Sequence, residues 1–342
     1  MCNMKALTED TSLKNIILLL VTISLSLSSL GLSNITFAKN KAKALAELAP
    51  NDVSYLLTAS AKGDLNTVQA MLDSGVNPSI QDDDGVSALM YAARKNQTAV
   101  ASALLAKAAN VNAVDKSGWT ALMYAAKKGY VATSKVLLDK GADPKLRDPA
   151  GWSAYGIAAT SGFSELINLM LSHGIDANAK SDDGKTVLIY AAKSGDVATI
   201  NTLLARGADT NAKDRLGATA LMYAARAGYA PAVEAILDKG AKVDDEDNTD
   251  WTALTWAVKK VQIETAKVLL TSGANPNHKD TEGTPLLQLA VVNKSTELVD
   301  LLIKSGANVK SKDQYGLTAL VYALKIKNSE MVKLIKEAGG NY

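Results

Sequence analysis

The chain holds one cysteine and two histidines among its 342 residues. A lone thiol, Cys2, cannot close a disulfide within the chain, and no paired cysteine spacing suggests a metal knuckle. His173 and His278 are too few for a His-Glu-x-x-His helix, and neither a P-loop nor a Gly-x-Ser-x-Gly elbow occurs. Both histidines fall near unit ends, where imidazole caps carbonyls or faces water, so a metal role is not expected. The acidic stretch Asp244, Asp245, Glu246, Asp247 and Asp250 lacks the glycine and final glutamate of a calcium loop and reads as a solvated turn. The expectation is a chain without catalysis, cofactor or metal.

Charge of one sign is also missing. Lys and Arg number 37 against 35 Asp and Glu, a formal charge of +2, which gives no strong pull towards nucleic acid. Hydrophobic residues at 47% and charged residues at 21% exclude a disordered composition.

What the chain does have is a repeat. The stretch Asp115 to Arg147 reads as turn, short helix, short helix and turn. Asp115 and Gly118 bracket a tight turn, Thr120 stands at the N-cap position of a helical run from Ala121 to Lys128, and Gly129 breaks it. A second run starts at Val131, with Ser134, Leu137 and Leu138 on its apolar face. Gly141 closes it as a C′ residue before Asp143-Pro144.

The turn glycine returns every 33 residues as Gly85, Gly118, Gly151, Gly184, Gly217, Gly283 and Gly316, with Asp250 the exception. The aspartate returns as Asp82, Asp115, Asp148, Asp214, Asp247, Asp280 and Asp313, with Ser181 the exception. The closing glycine recurs from Gly75 to Gly339, with Ala108 replacing it once. Helices this short cannot stand alone in water, so the copies must stack.

These slots resemble the ankyrin-repeat family, built from 33-residue turn-helix-helix units. The family's Thr-Pro-Leu-His segment stands here as Thr120-Ala121-Leu122-Met123, Thr219-Ala220-Leu221-Met222 and Ser87-Ala88-Leu89-Met90. Proline and histidine are absent, so methionine packing is expected to replace the histidine's contacts. The Thr-Ala-Leu-Met-Tyr-Ala-Ala variant is similar to bacterial members. The resemblance implies an all-α solenoid of about nine units with short β-hairpin-like tips, over 49–342, with units starting near 49, 82, 115, 148, 181, 214, 247, 280 and 313. The turns at 244–251 and 281–286 depart most from the pattern and are expected to be the least regular. A degenerate first unit keeps Leu56, Ala59, Gly63 and Gly75 in phase, and the last ends on Lys333, Lys336 and Glu337.

Residues 1–38 lie outside the repeat. Lys5 and Lys14 precede an apolar run, Ile16 to Leu27, and Thr36-Phe37-Ala38 offers small residues at −3 and −1. This reads as a signal peptide cut before Lys39, followed by a lysine- and alanine-rich lead-in over 39–48. A retained anchor is the alternative, against which stand the serines and a run short of ~20 apolar residues. Loss of Cys2 with the signal would leave no thiol, in keeping with an oxidising compartment. Periplasmic or secreted placement is expected, with membrane contact only through an uncleaved N-terminal segment.

The resemblance implies that partners meet the turn tips and the ends of the first helices along a concave face. Those ends carry Lys62, Arg94, Lys95, Lys127, Lys128, Lys193, Arg226, Lys259, Lys260 and Lys325, broken at Thr160-Ser161. The tips add Trp119, Trp152, Trp251 and Tyr315, large side chains where the fold asks only for a turn. Such a surface suits an acidic partner protein, not nucleic acid. The plainer account is that the lysines serve helix C-termini and the tryptophans pack on adjacent tips. On the partner-contact account, replacing Trp119 and Trp152 would weaken binding and leave melting unchanged. Tyr91, Tyr124, Tyr190, Tyr223 and Trp256 read as a stacked core ladder. The functional expectation is a monomeric, non-enzymatic binding scaffold in the periplasm, or an exported effector that uses the same surface on host proteins.

Replacing Leu137 by Ala is expected to cost about 2–5 kcal/mol, read by denaturant unfolding, because the cavity would be shared with the neighbouring unit.

Overall fold

The computed structural model describes residues 49–341, so the signal-peptide and lead-in readings lie outside the described residues. Within them 18 helices form nine pairs, from Ala49–Lys62 with Leu65–Asp73 to Ala319–Lys325 with Ser329–Glu337. No named strand occurs among the described residues. The hairpin-like tips survive as isolated antiparallel bridges, such as Gln81 with Ser87 and Arg147 with Ser153. No described helix is long and apolar enough to cross a membrane.

Unit three shows how each pair is cut from the chain. Its helices span Ala121–Lys127 and Val131–Asp139. Thr120 Oγ1 accepts the Met123 amide at 3.2 Å, which satisfies a donor at the helix start. Gly141 takes φ +84°. Its amide and that of Ala142 donate to the Leu138 and Leu137 carbonyls, each at 3.0 Å, in a Schellman closure. Methionine does more than pack: the sulfurs of Met90 and Met222 accept the amides of Ser87 and Thr219 at 3.3 and 3.4 Å. A buried thioether thus becomes the acceptor beside each cap.

First helices pack on first helices, and second helices on second. Ala125 and Ala126 are fully enclosed in the first layer, Leu137 in the second. Alanine, with a single methyl, lets neighbouring first helices approach closely.

Asparagines tie the units together between layers. The Oδ1 atoms of Asn112, Asn178, Asn211 and Asn277 accept amides 31 residues on, at Asp143, Asp209, Lys242 and Asn308. Asp244 fills the same role towards Asn275, which gives one residue of the acidic stretch a structural task.

The glycine between paired helices answers to the next unit. A Cβ on Gly129 would come within 2.7 Å of Phe163, and one on Gly195 within 2.6 Å of Tyr229. Val261 holds the same slot at φ +58°, and the covering position in the next unit is the short Ser295. The rule is not strict, since Asn96 holds the slot at φ +59° ahead of Tyr130.

The turns at 244–251 and 281–286 are more regular than the sequence suggests. Asp250 adopts the left-handed φ of +54° that glycine takes elsewhere, and the Asp247 to Trp251 turn bond forms at 3.0 Å. In unit eight Asp280 Oδ1 still accepts the Thr284 amide at 2.8 Å. What unit eight loses is the cap, since Pro285 occupies the N-cap with no side-chain bond. The first unit's helix, at 14 residues, runs back into the space that a tip fills in other units. At the other end Lys333, Lys336 and Glu337 are exposed, as a terminal unit requires.

Ala108 keeps the closing bonds of its helix but at φ +62°. That conformation costs an alanine roughly 1–2 kcal/mol, while glycine adds about 0.4–1 kcal/mol of unfolded-state entropy. Ala108→Gly should therefore raise stability by about 0.5–1 kcal/mol, seen as a higher urea midpoint.

Candidate functional site

The first-helix face is built on the turn aspartates. In unit three Asp115 Oδ1 accepts the Ser117 and Trp119 amides at 2.8 and 2.9 Å, and Oδ2 accepts the Tyr124 hydroxyl at 2.6 Å. Tyr91, Tyr223 and Tyr322 donate in the same way to Asp82, Asp214 and Asp313, and Trp256 Nε1 donates to Asp247 at 2.9 Å. Burial, then the bond to Asp115, pushes the Tyr124 hydroxyl up to about 12. Tyr190 finds Ser181 Oγ at 3.2 Å, because unit five lacks the aspartate. These aromatics do form a row, but they are half-buried and anchored to carboxylates rather than stacked on one another.

Tip tryptophans supply the stacking, which revises the expectation that Trp119 and Trp152 are dispensable to the fold. Trp119 lies 5.1 Å from Tyr124, Trp152 5.3 Å from Tyr190 and Trp251 4.6 Å from Trp256, centroid to centroid. All three tryptophans are half-buried. Unit four has Ile157 in the row, so Asp148 receives no tyrosine. Its Oδ2 accepts Trp119 Nε1 from the preceding unit at 3.0 Å instead. Tyr315, by contrast, is 73% exposed.

The cations divide into stacked and free. Arg94 sits 4.8 Å over Tyr91 and 5.8 Å from Tyr124 of the next unit, and Arg226 4.6 Å over Trp256. Lys259 and Lys325 lie 5.9 and 5.8 Å over Trp251 and Tyr322. Lys127 and Lys193 are exposed in the last turns of their helices, while Lys95, Lys128 and Lys260 are exposed C-cap residues. Among the described residues none of these nine cations pairs with a carboxylate. The ion pairs lie elsewhere, on second helices (Lys107 with Asp73, Lys135 with Asp139, Lys304 with Asp300) or at tips (Arg147 with Asp182, Lys185 with Asp183). From Ala88 to Lys325 no first helix contains an acidic residue.

Unit four breaks this row in the structure as in the sequence. Thr160 Oγ1 is spent on the Gly156 and Ile157 carbonyls at 3.2 and 3.1 Å. Tyr155 and Gly156 replace the leucine and methionine of sister units. A cavity of about 100 Å³ remains between Trp152, Tyr155, Ile175, Val187 and Tyr190. Burial pushes the Tyr155 hydroxyl well above its usual pKa, and no partner reaches it among the described residues. A wider groove of about 610 Å³ lies between the first helix of unit one and the tip of unit two, at Gln81, Asp82 and Asp83.

The histidines cap carbonyls. His173 meets the Leu169 carbonyl at 2.9 Å and Asp139 at 3.0 Å, contacts that in that order raise its pKa. His278 meets the Asp250 carbonyl at 2.6 Å. Among the described residues no cluster of three His, Cys, Asp or Glu has metal-binding geometry.

Comparison with known proteins agrees with this architecture. The family model described as ankyrin repeats (3 copies) matches residues 56–148, 135–214, 207–280 and 263–342. Among solved structures the chain is similar to the crystal structure of the human ASB11 ankyrin repeat domain. The identity is 26% and the TM-score 0.58, over 65% of this chain and 98% of that one. No curated protein matches the sequence.

Because Trp119 bridges two units, Trp119→Ala should lower stability by more than about 1 kcal/mol, through the lost ring pair and the Asp148 bond. Trp119→Phe should recover part of that loss. Equal unfolding midpoints for all three proteins would show the ring to be idle in the fold.

Proposed function

The chain belongs to the ankyrin-repeat family, and from that premise we propose a non-enzymatic scaffold that docks another protein along its concave first-helix face. Ankyrin repeats in general bind other proteins. The observation that carries the choice of face is the run of cations with no acidic neighbours in its layer. Unpaired charge and half-exposed aromatics are what a partner desolvates with profit, and arginine, tryptophan and tyrosine dominate binding hot spots. An acidic partner surface complements them. Docked partners meet Trp251, Arg226 and Lys259 around Trp256, and Arg94 four units away on the same face, whereas Trp119 and Trp152 act mainly by holding the tips in place.

The N-terminal residues support a site of action outside the cytoplasm, in the periplasm of a bacterium. Export to a host cell, where the same face would bind host proteins, is the second reading. It draws on the same leader and on no separate feature of the array.

Cell fractionation with N-terminal sequencing should find a soluble periplasmic product that begins at Lys39. Full-length chain in the cytoplasm would overturn the placement, and product recovered inside host cells would favour the effector. Pull-down from an envelope extract, repeated with Arg226→Ala and Lys259→Gln, should lose its partner in both variants; retention by both would move the interface off this face.

A further inference from the structure

We propose that the first-helix face binds one extended segment of its partner, carrying two acidic clusters separated by a short neutral spacer. This rests on the protein-binding reading above and adds the chemistry of the bound segment.

The cations fall into two arms. Units two and three supply Arg94, Lys95, Lys127 and Lys128; units five to seven supply Lys193, Arg226, Lys259 and Lys260. Between them unit four offers only Thr160 and Ser161, with the threonine hydroxyl already committed to its own helix. Each arm holds one arginine laid on an aromatic face, Arg94 on Tyr91 and Arg226 on Trp256. A guanidinium held over a ring is partly immobilised yet keeps N–H donors for a carboxylate. The guanidinium is a two-pronged donor matched to a carboxylate, and less side-chain entropy is left to lose.

Packed helices lie roughly 8–10 Å apart, so the gap from unit three to unit five is about 16–20 Å. An extended chain rises ~3.3 Å per residue, which sets the spacer at about five or six residues. From Arg94 to Arg226, four units, the bound segment runs to about ten to twelve residues.

A protein segment fits this layout better than a nucleic acid. Exposed carboxylates at the tips, such as Asp83, Asp84, Asp182 and Glu246, flank the cations. Duplex DNA carries a charge every ~1.7 Å and would press phosphates against them. A narrow peptide can pass between.

The test uses synthetic peptides on the mature chain: two tetraglutamate clusters joined by a six-residue Gly-Ser spacer, each cluster alone, and the clusters joined directly. The spaced peptide should bind at least ~10-fold more tightly than either cluster, since the second contact becomes intramolecular. Lys127→Gln with Lys128→Gln, or Lys193→Gln with Lys259→Gln, should reduce it to single-cluster affinity. These exposed lysines make no ion pair among the described residues, so melting serves as the check that folding is intact. Arg94→Lys should weaken binding several-fold while keeping the charge.

Equal affinity for spaced and single clusters overturns the proposal, as does tighter binding of a DNA duplex of matched charge. If the natural partner is lost on Arg226→Ala yet none of the acidic peptides binds, the segment inference fails while the scaffold reading stands. If neither partner nor peptide responds to these variants, both fail.

Discussion

A helix of seven residues such as Ala121–Lys127 has almost no stability of its own in water, because nucleation costs more than about two turns return. It persists because Leu122, Ala125 and Ala126 are enclosed, and neighbouring first helices do most of the enclosing. The fold is therefore a chain of nearest-neighbour contacts, each unit the other half of its neighbour's core. That single dependence fixes the period: an inserted residue would rotate one helix face away from the next. It also explains why the ends differ, with a lengthened first helix at one end and a charged last helix at the other.

Stacking alone leaves the turn segments without a core. They are held instead by carboxylates that accept two backbone amides of their own turn and, in all but Asp280, one aromatic donor. Taking a carboxylate partly out of water is costly unless its lone pairs are satisfied, and here three donors meet Asp82, Asp115, Asp148, Asp214, Asp247 and Asp313. Unit four shows how far the requirement reaches. When Ile157 removes the tyrosine, an indole from the preceding unit takes its place. The same bond that orders a turn thus ties two units together.

Much of this was legible in the sequence, for a physical reason. Slots that demand a left-handed φ, a cap or an enclosed methyl admit few residue types, so Gly118, Thr120, Leu137 and Gly141 announce themselves. The asparagine ties are less visible, since Asn112, Asn178, Asn211 and Asn277 share their slot with Ser79, Lys145, Asp244 and Lys310, and an exposed amide suggests solvent. The role of the tryptophans was not readable, since it depends on where a ring points relative to the next unit. Aromatic residues at turn tips look superfluous until Tyr124 and Tyr190 are seen beneath them. The acidic stretch misled in the opposite direction: Asp244 and Asp247 are acceptors the fold uses, and Asp250 stands in for glycine.

One feature has no account in folding. A cation at a helix C-terminus is favoured by the macrodipole, and that covers Arg94 or Lys127 taken singly. It covers second helices too, whose C-caps include Lys107, Lys140 and Arg206. Yet second helices also carry Asp73, Asp139, Glu264 and Asp300, which neutralise their lysines, while first helices beyond unit one carry no carboxylate at all. The dipole asks for cations at an end; it does not ask that acids be kept off the face. Exposed ion pairs contribute at most about 1 kcal/mol each, so stability gains little from placing acids in one layer and nothing from excluding them in the other. Segregation of this kind has an electrostatic consequence only when another charged surface approaches, and there it raises both encounter rate and selectivity. The asymmetry between the two layers is thus the part of the molecule that folding leaves unexplained.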